Sequence, residues 1–131
     1  MLLFACGTAQ SSEWKDLGGS PDRRHTLSID VSSIRIDGAI RLAWFKHQYA
    51  PSLKMHDAGG PDRYKVWSYS LVRHGLNCTN ETYQLDANTI VFYTDGSSGS
   101  DSSFNRLPWR PGPPDSFAEM EMQTVCAWKP K

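Results

Sequence analysis

Residues 109–128 constrain the fold more than any other stretch, because they form the one well-signalled helix in a chain that otherwise reads as strands. Pro113 and Pro114 stiffen the approach, and Ser116 with Glu119 makes a Ser-x-x-Glu capping box. Ala118, Met122, Val125 and Cys126 then recur at i, i+4, i+7 and i+8, one face of a helix. A cysteine closes that stripe. If Cys126 bonds to Cys78, the helix is fastened by its buried face to the end of a strand; otherwise Cys126 is an ordinary buried thiol. The redox state of the compartment decides between the two.

A chain of 131 residues fits a single domain with a core of its own. Fourteen basic and fourteen acidic residues cancel, which argues against a dedicated nucleic-acid binder, since phosphate contacts demand a basic excess. No apolar run approaches the length of a membrane span.

The first seven residues, Met-Leu-Leu-Phe-Ala-Cys-Gly, set Ala5 directly before Cys6 behind an apolar run. This resembles the tail of a bacterial lipoprotein signal, a Leu-x-Ala-Cys box cleaved before a cysteine that is then lipidated. The basic start and most of the apolar region of such a signal are missing, so the expectation is a true start upstream of Met1. Cys6 is then the lipidation site, residues 1–12 are a signal remnant and tether, and residues 13–131 are one domain. On that reading Cys78 and Cys126 remain as a pair in an oxidising cell-envelope compartment, outer-membrane or periplasmic, with contact to the membrane through the lipid anchor only. A closed loop of about 48 residues contributes roughly 4 kcal/mol in the chain-entropy picture.

Along the chain, residues 13–17 read as a first strand carrying Trp14, and residues 18–22 as a turn by composition. Residues 24–31 form a second strand, with Leu27, Ile29 and Val31 on one face. Ile34-Arg35-Ile36 and residues 39–45 flank Asp37-Gly38, a hairpin expected to turn in type I′. Both faces of the returning strand carry apolar residues, so it is expected to be central. Residues 50–62 are a loop. Residues 64–76 form a long strand with Trp67, Tyr69 and Leu71 on one face, and residues 82–85 and 89–93 pair around Asp86-Ala87-Asn88. Residues 95–103 are too polar to pack and are expected to be mobile. The sum is an α+β domain: a curved antiparallel sheet of five to six strands with one C-terminal helix on it.

The order Trp14, Ile29-Asp30-x-x-Ser33-Ile34, Gly38, Ala43-Trp44, Asn77-Cys78, Trp109-x-Pro-Gly, Ser116-x-x-Glu119 and Val125-Cys126 resembles the surface-adhesin protein E family of Gram-negative lipoproteins. The resemblance runs from Trp14 to Cys126. It implies a strongly curved six-stranded sheet whose concave face holds the helix through a Cys78–Cys126 disulfide. It also implies a protein partner, an extracellular-matrix or serum protein, bound near the strand that enters Cys78. Carried over residue by residue, the expected binding group is Lys65, Tyr69, Leu71, Arg73, His74, Asn77 and Tyr83. A homodimer is a further expectation.

Catalytic and cofactor signals are weak, and the expectation is a non-enzymatic domain with no catalytic residue, cofactor or metal. His25, His47, His56 and His74 fall on different expected elements without metal-ligand spacing and read as surface or strand-end residues. Glu119 and Glu121 read as helix-start carboxylates favoured by the dipole. No Gly-x-Ser-x-Gly elbow or phosphate loop is present. Fifteen Trp, Tyr and Phe residues, five of each, are more informative, since those not needed in the core can form a platform for a partner. A periplasmic inhibitor or envelope-assembly module is the rival reading.

Overall fold

The structure, a computed structural model, describes residues 11–101 and 107–130. Among these, nine strands form one open, curved antiparallel sheet: β1 (Trp14–Gly19), β2 (His25–Asp30), β3 (Arg35–Asp37), β4 (Ile40–Tyr49), β5 (Trp67–Asn77), β6 (Thr82–Leu85), β7 (Thr89–Tyr93), β8 (Ser98–Asp101) and β9 (Arg110–Pro111). A single helix, α1 (Phe117–Ala127), lies on the concave face. The spine is β4 against β5, in unbroken register from Ile40 opposite Asn77 to Gln48 opposite Tyr69. The other edge of β4 is shared by β2 and β3.

Alternation along these strands separates two faces. The concave face supplies Leu27, Ile29, Ala43, Phe45, Val72 and Leu76, which meet Met122 and Val125 of α1. Leu27, Ile29, Phe45, Leu76 and Val125 are fully buried, each contributing about 1.5–3 kcal/mol of apolar transfer free energy.

The helix N-terminus is capped by Ser116 as the sequence suggests, although the capping box is incomplete, and the C-terminus gains a partner the sequence did not signal. Ser116 Oγ accepts from the Glu119 N–H at 3.2 Å, and Ser116 also donates to the Pro113 carbonyl. Glu119 itself accepts from Gln123 rather than reaching back, so half of the capping box forms. At the other end, Arg41 of β4 donates to the carbonyls of Val125 and Trp128 at 2.7 and 2.6 Å, a cation on the negative end of the dipole. Cys126 is bonded to Cys78, with Cα atoms 5.6 Å apart, just past the end of β5.

The Asp30-x-x-Ser33 signature is a structural clasp. Asp30 Oδ1 accepts from the backbone of Glu13 and from both the backbone and hydroxyl of Ser32. Ser33 Oγ donates to the Asp30 carbonyl and accepts from the Trp44 N–H. One 3-10 turn (Val31–Ser33) thus joins the first strand, β2 and β4.

Several sequence expectations need correcting. The first hairpin pairs Asp37 with Ile40, so its loop is Gly38-Ala39; Gly38 has φ +61° and Ala39 has no positive φ, the pattern of type II′ rather than I′. Gly18-Gly19 are not a turn but the end of β1, beyond a bulge that Gly18 permits with φ +139°. Val31 leaves the strand for the 3-10 turn. The strand expected over 64–76 runs instead from Trp67 to Asn77. β6 and β7 do not pair with each other. Both run antiparallel to β5, β6 beside residues 74–77 and β7 beside residues 67–71, so they are two halves of one strand broken at residues 86–88. Residues 98–101 of the polar stretch form β8 along β7, and residues 102–106 lie outside the described residues.

Candidate functional site

Register places the outer face in rows. Lys46 lies opposite Ser28 and Leu71, and Leu71 opposite Ile90; Gln48 lies opposite Tyr69, and Tyr69 opposite Phe92; Trp44 lies opposite Arg73. Several of the side chains on this face contact one another. Lys46 Nζ sits 4.3 Å above the Trp14 ring and 5.5 Å from that of Tyr69, while Tyr69 stacks on Phe92 at 4.4 Å, 11° from parallel. Arg73 lies over Trp44 at 5.8 Å and pairs with Asp86 at 2.5 Å. α1 packs on the opposite face, so among the described residues this surface carries half-buried aromatics and cations with no element across them except Trp109 at one end. Near its end Trp109 rests over Gly75; a Cβ at Gly75 would meet the ring at 3.0 Å, so a side chain there would push the indole outward.

The expected binding group divides between the two faces. Tyr69, Leu71 and Arg73 share the outer face. His74 does not: its Nδ1 hydrogen-bonds Glu121 Oε1 at 2.5 Å beneath the helix. Tyr83 packs against the concave core. Asn77 caps its own turn, accepting from the N–H groups of Thr79 and Asn80. Lys65 turns to a separate corner, donating to Ser97 and pairing with Asp62 and Asp95. Cys6 lies outside the described residues.

Trp67 is the clearest departure. A bulge between Trp67 and Tyr69 puts Trp67 opposite Tyr93, on the concave face, where it meets Tyr49 edge-on. Its Nε1–H and the Tyr93 hydroxyl both donate to Asp57, which pins the 51–66 loop. Burial first, then that hydrogen bond, push the Tyr93 phenol up to about 12. An acidic cavity of about 620 Å³ opens there, walled by Asp57, Asp62, Trp67, Tyr93 and Asp101.

Of the four histidines read as surface or strand-end residues, His25 does open β2 and His56 is exposed, whereas His47 and His74 are half-buried within strands. His25, His47 and His74 line the concave face below α1, with the His25 and His47 rings 2.8 Å apart at Nε2 and Nδ1. Burial lowers the pKa of His25 and holds His47 at about 3, with the His25 and His74 charges adding to the effect. Burial likewise raises the Tyr49 phenol. Glu121, expected at a dipole-favoured helix start, is 1% exposed and aimed at His74. Its spacing was the missed signal, since residues 118, 121, 122 and 125 share one helical face. Exposed His56 bonds its neighbour's carbonyl. Among the described residues no group of three His, Cys, Asp or Glu side chains is arranged to hold a metal ion.

An open curved sheet, with one disulfide-tethered helix on the concave side and aromatics on the other, defines a small sheet-and-strap domain of the α+β class. The family model described as Surface-adhesin protein E matches residues 14–127, and the chain belongs to that family. A crystal structure of protein E from non-typeable Haemophilus influenzae is similar, with a TM-score of 0.57 over 92% of this chain and 79% of that one. At 16% identity that likeness speaks for the fold alone. No curated protein sequence matches the chain.

Proposed function

We propose that this is a non-enzymatic, adhesin-like domain of the bacterial cell envelope that binds a protein partner on the outer face of its sheet. The observation that carries the reading is the Trp14, Lys46, Tyr69 and Phe92 cluster, three aromatic rings and a cation on the face opposite the helix. Leu71 and Arg73 extend it toward Cys78. Aromatic and Arg side chains of this kind dominate protein interfaces, because they supply large rigid contact area and donors together. Family membership favours a surface location, Cys6 as the lipid anchor, and an extracellular-matrix or serum protein as the partner. The same face could seat a second copy of the chain.

The test is a binding screen of the domain against matrix and serum proteins, with Arg73→Ala as the control. A tenfold or greater loss supports the outer face. Binding that ignores both Arg73→Ala and Lys46→Ala places the site elsewhere. Protease shaving of intact cells separates surface display from the periplasmic alternative, an inhibitor or assembly module, which stays protected.

A further inference from the structure

Below the N-terminal half of α1, beside the contact of Met120 with Gly18 of β1, the concave face presents imidazoles. His25 and His47 hydrogen-bond to each other, and Phe117, the first residue of the helix, packs on both, with ring centres 4.3 and 5.6 Å away. A bond between two imidazoles needs one N–H and one bare nitrogen, so at least one ring is neutral; a second proton sets two donors against each other. The C-terminal half is held by groups that do not titrate between pH 4 and 8. These are Met122 and Val125 in the core, Arg41 on the last carbonyls, and the bond from Cys126 to Cys78.

We propose that α1 is an acid-released strap. When His25 and His47 are both protonated, its first turns lift from the sheet while the disulfide retains its last turns, uncovering the imidazole pair.

The groups around the pair leave it uncompensated. From β4 come Arg41, at the far end of the helix, and Tyr49, whose hydroxyl is bonded to Ser70. From β5 comes His74, taken by Glu121 of the helix; from β6, Tyr83 beside His74; and Glu119 is taken by Gln123. From β1, Lys15 lies by Thr124 and Trp128 at the other end. Asp16 with Arg23, and Asp22 with Arg24, pair among themselves on the surface. Among the described residues no carboxylate bonds either imidazole of the pair. The sign of the effect follows. His25 and His47 have folded pKa values depressed by burial, so closure is fully favoured above about 6.5, the unfolded value, and weakens as pH falls below it toward 3.

The experiment is amide hydrogen exchange on the oxidised chain from pH 7.5 to 4.5, corrected for the intrinsic pH dependence, with histidine Cε1 proton shifts recorded in parallel. Protection at residues 119–122 is expected to fall by up to about tenfold per pH unit for each proton taken up, while residues 43–46 and 72–76 keep theirs. In H25Q/H47Q, which retains hydrogen-bonding groups with nothing to titrate, helix protection is expected to be independent of pH. If the double variant does not fold, H47Q alone is expected to halve the pH slope, since His25 still takes up a proton. Helix protection unchanged to pH 4.5 would overturn the proposal. So would a loss shared equally by the sheet, or one that persists in full in the glutamine variants.

Discussion

At the scale of single residues, the two faces of the sheet put the same side-chain types to different uses. Arg73 and Lys46 lie against aromatic rings on the outer face, whereas Arg41 is spent on the last carbonyls of the helix. His74 and Glu121 are the costliest residues to misplace. A carboxylate that is 1% exposed survives in this core because an imidazole faces it at hydrogen-bond distance. Glu121→Ala would leave the His74 nitrogen buried without a partner, at a cost of about 2–4 kcal/mol. Glu121→Gln keeps an acceptor in place and is expected to cost less than half as much. Urea unfolding at pH 7 measures both. Sequence spacing alone could not show this pair, because a glutamate early in a helix is ordinarily explained by the dipole, and its partner lies 47 positions away on β5.

At the scale of elements, the sequence was legible wherever a local rule acts alone. The capped helix, a hairpin turning at Gly38 and the alternation of β2 and β4 could be read in this way, because capping, turn chemistry and period-2 burial are short-range; the disulfide, 48 positions apart, came instead from the compartment reading and the family resemblance. Bulges were not legible. One extra residue before Tyr69 moves Trp67 to the concave face, and another at Leu17 carries β1 through two glycines that look like a turn. The break between β6 and β7 was hidden for a related reason, since a short polar segment between two strands signals a hairpin and a collinear break equally well. The helix is the element most dependent on long-range links. Reduction, or Cys126→Ser, is expected to lower exchange protection in residues 118–126 first and to leave the hairpins of the sheet comparatively protected. Equal loss in helix and sheet would show that the disulfide supports the whole domain instead.

At the scale of the molecule, a single thin sheet must bury one face and leave the other. The helix, the disulfide and the imidazoles close the concave side: Asp30 and Ser33 clasp three strands and Cys126 ties the helix, while Trp109 covers Gly75 at the end of the outer face. What remains for a partner is the outer face. Of the residues that resemblance assigned to binding, Tyr69, Leu71 and Arg73 lie there, while His74 faces Glu121 of the helix and Tyr83 packs on the concave core; alternation along β5 sets His74 apart, and the register of β6 on β5, with Leu76 opposite Tyr83, places Tyr83. The most direct measurement is a hydrogen-exchange footprint of the domain with whichever matrix or serum protein it retains. New protection at residues 44–48, 69–73 and 90–92, with α1 unchanged, is the result this account predicts. Protection confined to α1 and the 51–66 loop would contradict it.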